Sequence, residues 1–139
     1  MKSESSNTKK YLLLLTAVMW LPLLAFSQKA YDAVDYLGKT ADLTIRFTLG
    51  DGYIAACEIK TTDNNTKKTS RFLPEKGYPE EDKTMKFYHV SVTDRTFTDY
   101  FILKGIKEYY EQVPATISGV YYFAGREYPF VLKRYRHNR

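Results

Sequence analysis

Leu43, Ile45, Phe47 and Leu49 alternate with Thr44, Arg46 and Thr48. A period of two predicts a strand with one face buried and the other in water. Gly50-Asp51-Gly52 supplies turn residues, and Tyr53, Ala55, Cys57 and Ile59 carry the same parity onto a return strand. A three-residue loop would set Leu49 against Tyr53, Phe47 against Ala55, Ile45 against Cys57 and Leu43 against Ile59. Large residues then meet small ones, as a packed face prefers. After the polar turn at Asp63-Asn64-Asn65-Thr66, a weaker strand follows over 67–73, then a long surface loop over 74–84 with two prolines and clustered charge. Residues 87–93 and 97–103 predict a central hairpin about Asp94-Arg95-Thr96. In it Tyr88, Val90 and Val92 would pair with Ile102, Tyr100 and Thr98. The opposite face would hold His89 by Phe101 and Ser91 by Asp99.

The stretch 117–132, ISGVYYFAGREYPFVL, reads as a hairpin folded at Ala124-Gly125. A two-residue loop pairs Phe123 with Arg126, Tyr121 with Tyr128, Gly119 with Phe130 and Ile117 with Leu132, whereas a three-residue loop would set Val120 against Phe130. In the two-residue register the paired residues other than Gly119 and Arg126 form one apolar face, and Phe130 lies over Gly119, where there is room for a ring. Tyr122, Val120 and Glu127 fall on the other face. Pro129 has no N–H to donate, which predicts an edge strand or a bulge. Residues 28–40 admit two readings. Ala30, Ala33, Val34 and Leu37 follow helical spacing ahead of Gly38, and an N-terminal strand fits the same stretch. Residues 105–112, GIKEYYEQ, predict one or two helical turns ended by Pro114. These elements specify an all-β domain with a minor helical segment at 105–112: an antiparallel meander of about seven strands, closed as a small barrel or a two-layer sandwich.

The start of the chain has a different pattern. Residues 11–26 are an apolar run of 16 residues behind Lys9 and Lys10. That is shorter than the roughly 20 residues of a membrane-spanning helix, and Pro22 interrupts it. Ala25 and Ser27 suit a cleavage site before Gln28. Residues 1–27 are therefore expected to be a signal peptide, and 28–139 a single exported domain. Removing 27 residues from 139 leaves 112, and with Lys2, Lys9, Lys10 and Glu4 gone the net charge falls from +5 to +3. A balance that small is no footprint for nucleic acid. Cys57 is the lone cysteine, so no internal disulfide can form and packing must hold the fold.

No motif specifies a reaction. His89 and Asp99 could share one face with Ser91, the beginning of acid–base machinery, but no second base or oxyanion donor accompanies them. A polar patch on a sheet explains them. Cys57 has the parity of a core residue. Two histidines, one at His137, give no metal-site spacing, and no cofactor is implied. The aromatics say more, since 12 tyrosines and 7 phenylalanines remain after residue 27. Adjacent residues on a strand point to opposite faces, so Tyr121 and Tyr122 cannot both be buried in a one-sided sheet. Tyr122, with Tyr109 and Tyr110 on a connection, is the expected contact surface for a protein or glycan partner. A basic tail of Lys133, Arg134, Arg136 and Arg139 could meet an acidic surface. The expected function is a non-enzymatic exported binding module. The alternatives are a barrel-type carrier of a small apolar ligand, a structural cell-envelope component, and, last, a hydrolase using His89 and Asp99.

Overall fold

The structure is a computed structural model that describes residues 31–91 and 97–136. The expected signal peptide, the Asp94-Arg95-Thr96 turn and Arg139 lie outside the described residues. Eight antiparallel strands close into a barrel, each paired with its neighbours in sequence. They are β1 Asp32–Thr40, β2 Leu43–Asp51, β3 Glu58–Asp63, β4 Thr69–Pro74, β5 Thr84–Val90, β6 Tyr100–Lys104, β7 Thr116–Phe123 and β8 Arg126–Arg134. The one other regular element among the described residues is a 3-10 turn at Ile54–Ala56. No helix among them is long and apolar enough to cross a membrane.

The eighth strand is β1, so of the two readings of 28–40 the strand is the one found over the described part, Asp32–Thr40. It pairs with β2 along its whole length, from Asp32 opposite Asp51 to Thr40 opposite Leu43. Tyr36 thereby faces Phe47, and both rings are buried in the barrel. The interior parity read from the sequence holds on β2, β7 and β8. Ile45, Phe47, Leu49, Ile117, Tyr121, Phe130 and Leu132 all point into one core. Edge-to-face ring pairs fill its centre, Phe47 with Phe87 at 5.8 Å and Phe72 with Phe101 at 4.7 Å. Such pairs add about 0.5–1.5 kcal/mol beyond the area they bury.

The β7–β8 hairpin has the expected register throughout, with Gly119 opposite Phe130. Ala124 and Gly125 both have positive φ, 51° and 73°, which identifies the two-residue type I′ turn that suits strand twist. A Cβ on Gly119 would lie 2.7 Å from Phe130 Cζ and 2.7 Å from the Ile102 carbonyl oxygen. Only glycine fits there. Pro129 does not make β8 a free edge. The strand closes the barrel through Tyr36 opposite Arg134 and Leu37 opposite Lys133. Beyond that short ladder the Thr40 hydroxyl donates to the Pro129 carbonyl at 3.3 Å. Proline withholds a donor there while its acceptor is used.

Three other expectations change. The β2–β3 ladder is offset by four residues, with Phe47 opposite Ile59 and Ile45 opposite Thr61, because the return passes through the 3-10 turn and leaves Tyr53 outside. The β5–β6 ladder is offset by two, with Tyr88 opposite Tyr100. Both offsets are even, so parity is kept along the paired strands, whereas Tyr53 and Ala55, expected on the inner face, are exposed at the 3-10 turn. No helix forms over 105–112. The Ile106 N–H donates to Lys83 O at 2.9 Å, the Lys107 N–H to the Tyr110 hydroxyl at 2.9 Å and the Tyr110 N–H to Asp51 Oδ1 at 3.3 Å. With those donors committed elsewhere and Ile106 fully buried, the segment is pinned to the barrel rather than wound on itself.

Candidate functional site

The outer wall of the barrel is divided. On β2, β3 and β4 the outward positions are Thr44, Arg46, Thr48, Glu58, Lys60, Thr62 and Arg71. Arg46 pairs with Asp35 at 2.6 Å, and Arg71 and Lys60 both pair with Glu58. On β5, β6 and β7 the outward positions carry a central aromatic and aliphatic patch flanked by Thr84, Lys86, Lys104, Thr116 and Ser118. Tyr88 lies opposite Tyr100 and Tyr100 opposite Tyr122, so three tyrosines form one row across three strands. The next row runs Lys86, Ile102, Val120, Pro129. Tyr100 and Tyr122 stack at 4.7 Å and 11°, and Lys86 Nζ sits 4.6 Å from the Tyr100 ring centre. One face of each of these two rings is thus taken by the other, and Tyr100 also has a cation over it. What they present outward is ring edges and hydroxyls, with Tyr88 and Val131 largely exposed.

Tyr122 is therefore on an aromatic surface, as expected from its parity, but its companions are Tyr88 and Tyr100. The signal for them was present: both fall on the outward parity of their strands. Tyr109 and Tyr110 are elsewhere. Tyr109 is exposed with its ring over Gly52, at the end of the barrel that also exposes Tyr31, Tyr53 and Tyr78. Tyr31 and Tyr53 are in ring contact at 5.7 Å. Tyr110 is half-buried and structural. Its hydroxyl accepts from Lys107 N–H and donates to Gly105 O at 3.1 Å, and burial raises its pKa. The three tyrosines expected to act together do not share one site.

The basic tail is also redistributed. Lys133 and Arg134 belong to β8, and the Arg134 guanidinium donates to Val113 O at 3.3 Å. Arg136 is exposed. Cys57 is buried, and its Sγ accepts the Gly50 N–H at 3.4 Å. Its expected neighbour Ile45 instead faces Thr61, as the offset ladder requires. Burial pushes the thiol up to about 11.

His89 and Asp99 share a face, and that face is the barrel interior rather than a surface patch. The two-residue offset brings His89, not Ser91, to Asp99. His89 Nδ1 and Asp99 Oδ1 are 2.8 Å apart, and the Tyr121 hydroxyl donates to Asp99 Oδ2 at 2.8 Å. Phe97 stacks on the imidazole at 3.9 Å and Phe72 packs against it at 4.5 Å. Burial first, then the bond to Asp99, raises the Tyr121 pKa. Asp99 is thus used by two partners, and no buried side-chain N or O among the described residues is left without one. The trio is built as a brace between strands. Among the described residues, no group of three His, Cys, Asp or Glu could hold a metal ion.

Above this trio, where the β4–β5 ladder ends, lies an open groove of about 910 Å³. At the opposite end is a hollow of about 160 Å³ beside Tyr53 and Tyr109. No protein-family model, curated protein or solved structure matches the chain.

Proposed function

We propose that the protein is an exported, non-enzymatic binding module that recognises a protein partner through the outer face of β5, β6 and β7. The observation that carries this reading is the row Tyr88–Tyr100–Tyr122, set beside Ile102 and Val120 on one half of a barrel wall whose other half is charged. Contiguous apolar surface of this kind marks interaction sites, and tyrosine is enriched in the cores of protein interfaces. The stacked Tyr100–Tyr122 pair favours a protein over a glycan at this face. Sugar rings lie on free aromatic faces, and in this pair one face of each ring is already covered by the other. The edges and hydroxyls that remain suit backbone and side-chain groups of a protein. Phe47, Phe72, Phe87 and Phe101 occupy the barrel centre, which directs recognition to the wall rather than to a carried ligand.

A photo-crosslinking residue placed at Tyr122, and in a separate variant at Lys60, tests the face in the native host. A discrete protein adduct from position 122 that is lost with Tyr88→Ser and Tyr100→Ser is the expected result. Identical patterns from both positions, or no adduct, would remove the face from recognition. Mass spectrometry of the same samples should find a mature chain that begins at Gln28, and a species retaining residues 1–27 would contradict export with cleavage.

A further inference from the structure

We infer that the groove between β4 and β5 is a binding site for an acidic saccharide, a sugar chain that carries carboxylates. The site lies at the end of a ladder. β3 and β4 stay paired as far as Thr62 opposite Thr69, while the β4–β5 ladder ends at Arg71 opposite Val90. Next to that last pair, Thr69, Ser70 and Ser91 line the groove. The volume of about 910 Å³ lies within the several hundred Å³ typical of small-ligand sites. A lone inorganic anion would leave most of it empty.

Charge supplies the sign of the ligand. Among the described residues, Arg46, Lys60, Lys68 and Arg71 line the groove and no carboxylate does. Asp35 and Glu58 offset part of this charge from outside the lining. Lys68 makes no ion pair among the described residues, so the site keeps a net positive field. Hydroxyls supply the rest of the recognition. Thr62, Thr69, Ser70 and Ser91 bring hydroxyls to the lining, and Thr44, whose hydroxyl donates to Asn64 Oδ1, brings an acceptor. Hydroxyls that can donate and accept match the dual character of sugar hydroxyls. Phe97 supplies the apolar plane. One face of its ring rests on His89, and the residue is 44% exposed at the groove. A sugar ring can lie on the side away from His89, whose imidazole is held in place by Asp99. Among the described residues this arrangement differs from the tyrosine row in setting an exposed aromatic ring among several cations and hydroxyls. Tyr88, Tyr100 and Tyr122 line no part of the groove, so the inference stands apart from the protein-partner reading.

The test is titration of the folded domain with a linear galacturonate trimer, followed by amide and side-chain NMR shifts. A neutral galactose trimer and adenosine monophosphate run in parallel. The galacturonate trimer should shift Lys68, Ser70 and Phe97. Its affinity should fall roughly tenfold or more with Lys68→Glu and weaken as salt is added. Phe97→Ala should weaken both trimers, because the ring serves the sugar rather than its charge. Three results would overturn the inference: no shift at the groove, equal affinity for the neutral trimer, or tighter binding of the nucleotide. Retained affinity in Lys68→Glu would overturn it too, and because Lys68 is an exposed loop residue that variant is expected to fold.

Discussion

Gly119→Ala tests the packing logic at its tightest point. The added methyl would meet Ile102 O at 2.7 Å, Phe130 Cζ at 2.7 Å and Leu103 Cδ2 at 2.8 Å. Two of these are side-chain ends and can give. The third is a backbone carbonyl on β6, held where Ile102 lies opposite Val120, and moving it loosens the β6–β7 ladder. An inserted methyl in a packed core costs about 1–3 kcal/mol, and the immovable carbonyl places this case towards the upper end. Domains of this size have about 5–15 kcal/mol in total. With a urea slope of about 1–3 kcal/mol per molar, the denaturation midpoint should fall by roughly 1 M. Phe130→Leu removes one of the three obstacles, so the penalty of Gly119→Ala should shrink in that background without vanishing. Gly125→Ala is the control. It has positive φ and nothing within 4 Å, so it should lose only the roughly 1–2 kcal/mol of a left-handed backbone. A Gly119→Ala protein with an unchanged midpoint would refute the register.

Stability should fall at alkaline pH. Burial pushes Cys57 from 9.0 to about 11 and Tyr36 from 10.0 to about 12. The folded state therefore keeps protons that the unfolded chain has released, which favours unfolding as pH rises through those windows. Each group accounts for roughly 2–3 kcal/mol at most. Denaturation midpoints should be level below about pH 9 and then decline, and Cys57→Ala should flatten the first part of the decline; a level midpoint to pH 11 would count against burial. Asp99→Ala strands the Tyr121 hydroxyl and His89 Nδ1, at about 1–3 kcal/mol for each buried group left unpaired. Adding Tyr121→Phe should recover part of that loss, and strictly additive effects would show that the bond contributes nothing. Phe130→Ala should cost about 3–5 kcal/mol, read as a lower thermal midpoint.

Strand parity was legible in the sequence because it is a local property. Alternation at Leu43, Ile45, Phe47 and Leu49 decides which side chains point inward wherever the strand is placed. The 117–132 hairpin was legible with two registers open, and the one that places Gly119, with room for a ring, beneath Phe130 is the one that forms. Cys57 was legible as core for the same reason of parity, and Tyr122 as outward-facing. Other registers were not, since a shift of two or four residues leaves every face unchanged. The offsets at β2–β3 and β5–β6 were set by the 3-10 turn after β2 and by the packing of His89 against Asp99, Phe72 and Phe97. Barrel closure and the irregular 105–115 connection depended on distant partners, such as the Tyr36 hydroxyl donating to Pro114 O at 2.8 Å. The candidate sites lie on that second side. Tyr88, Tyr100 and Tyr122 become one row only when two ladders align them, and the groove gathers residues of β2, β3, β4 and β5 that only the folded barrel brings together. Periodicity along the chain decides inside from outside, and contacts between residues far apart in sequence decide which outside residues meet.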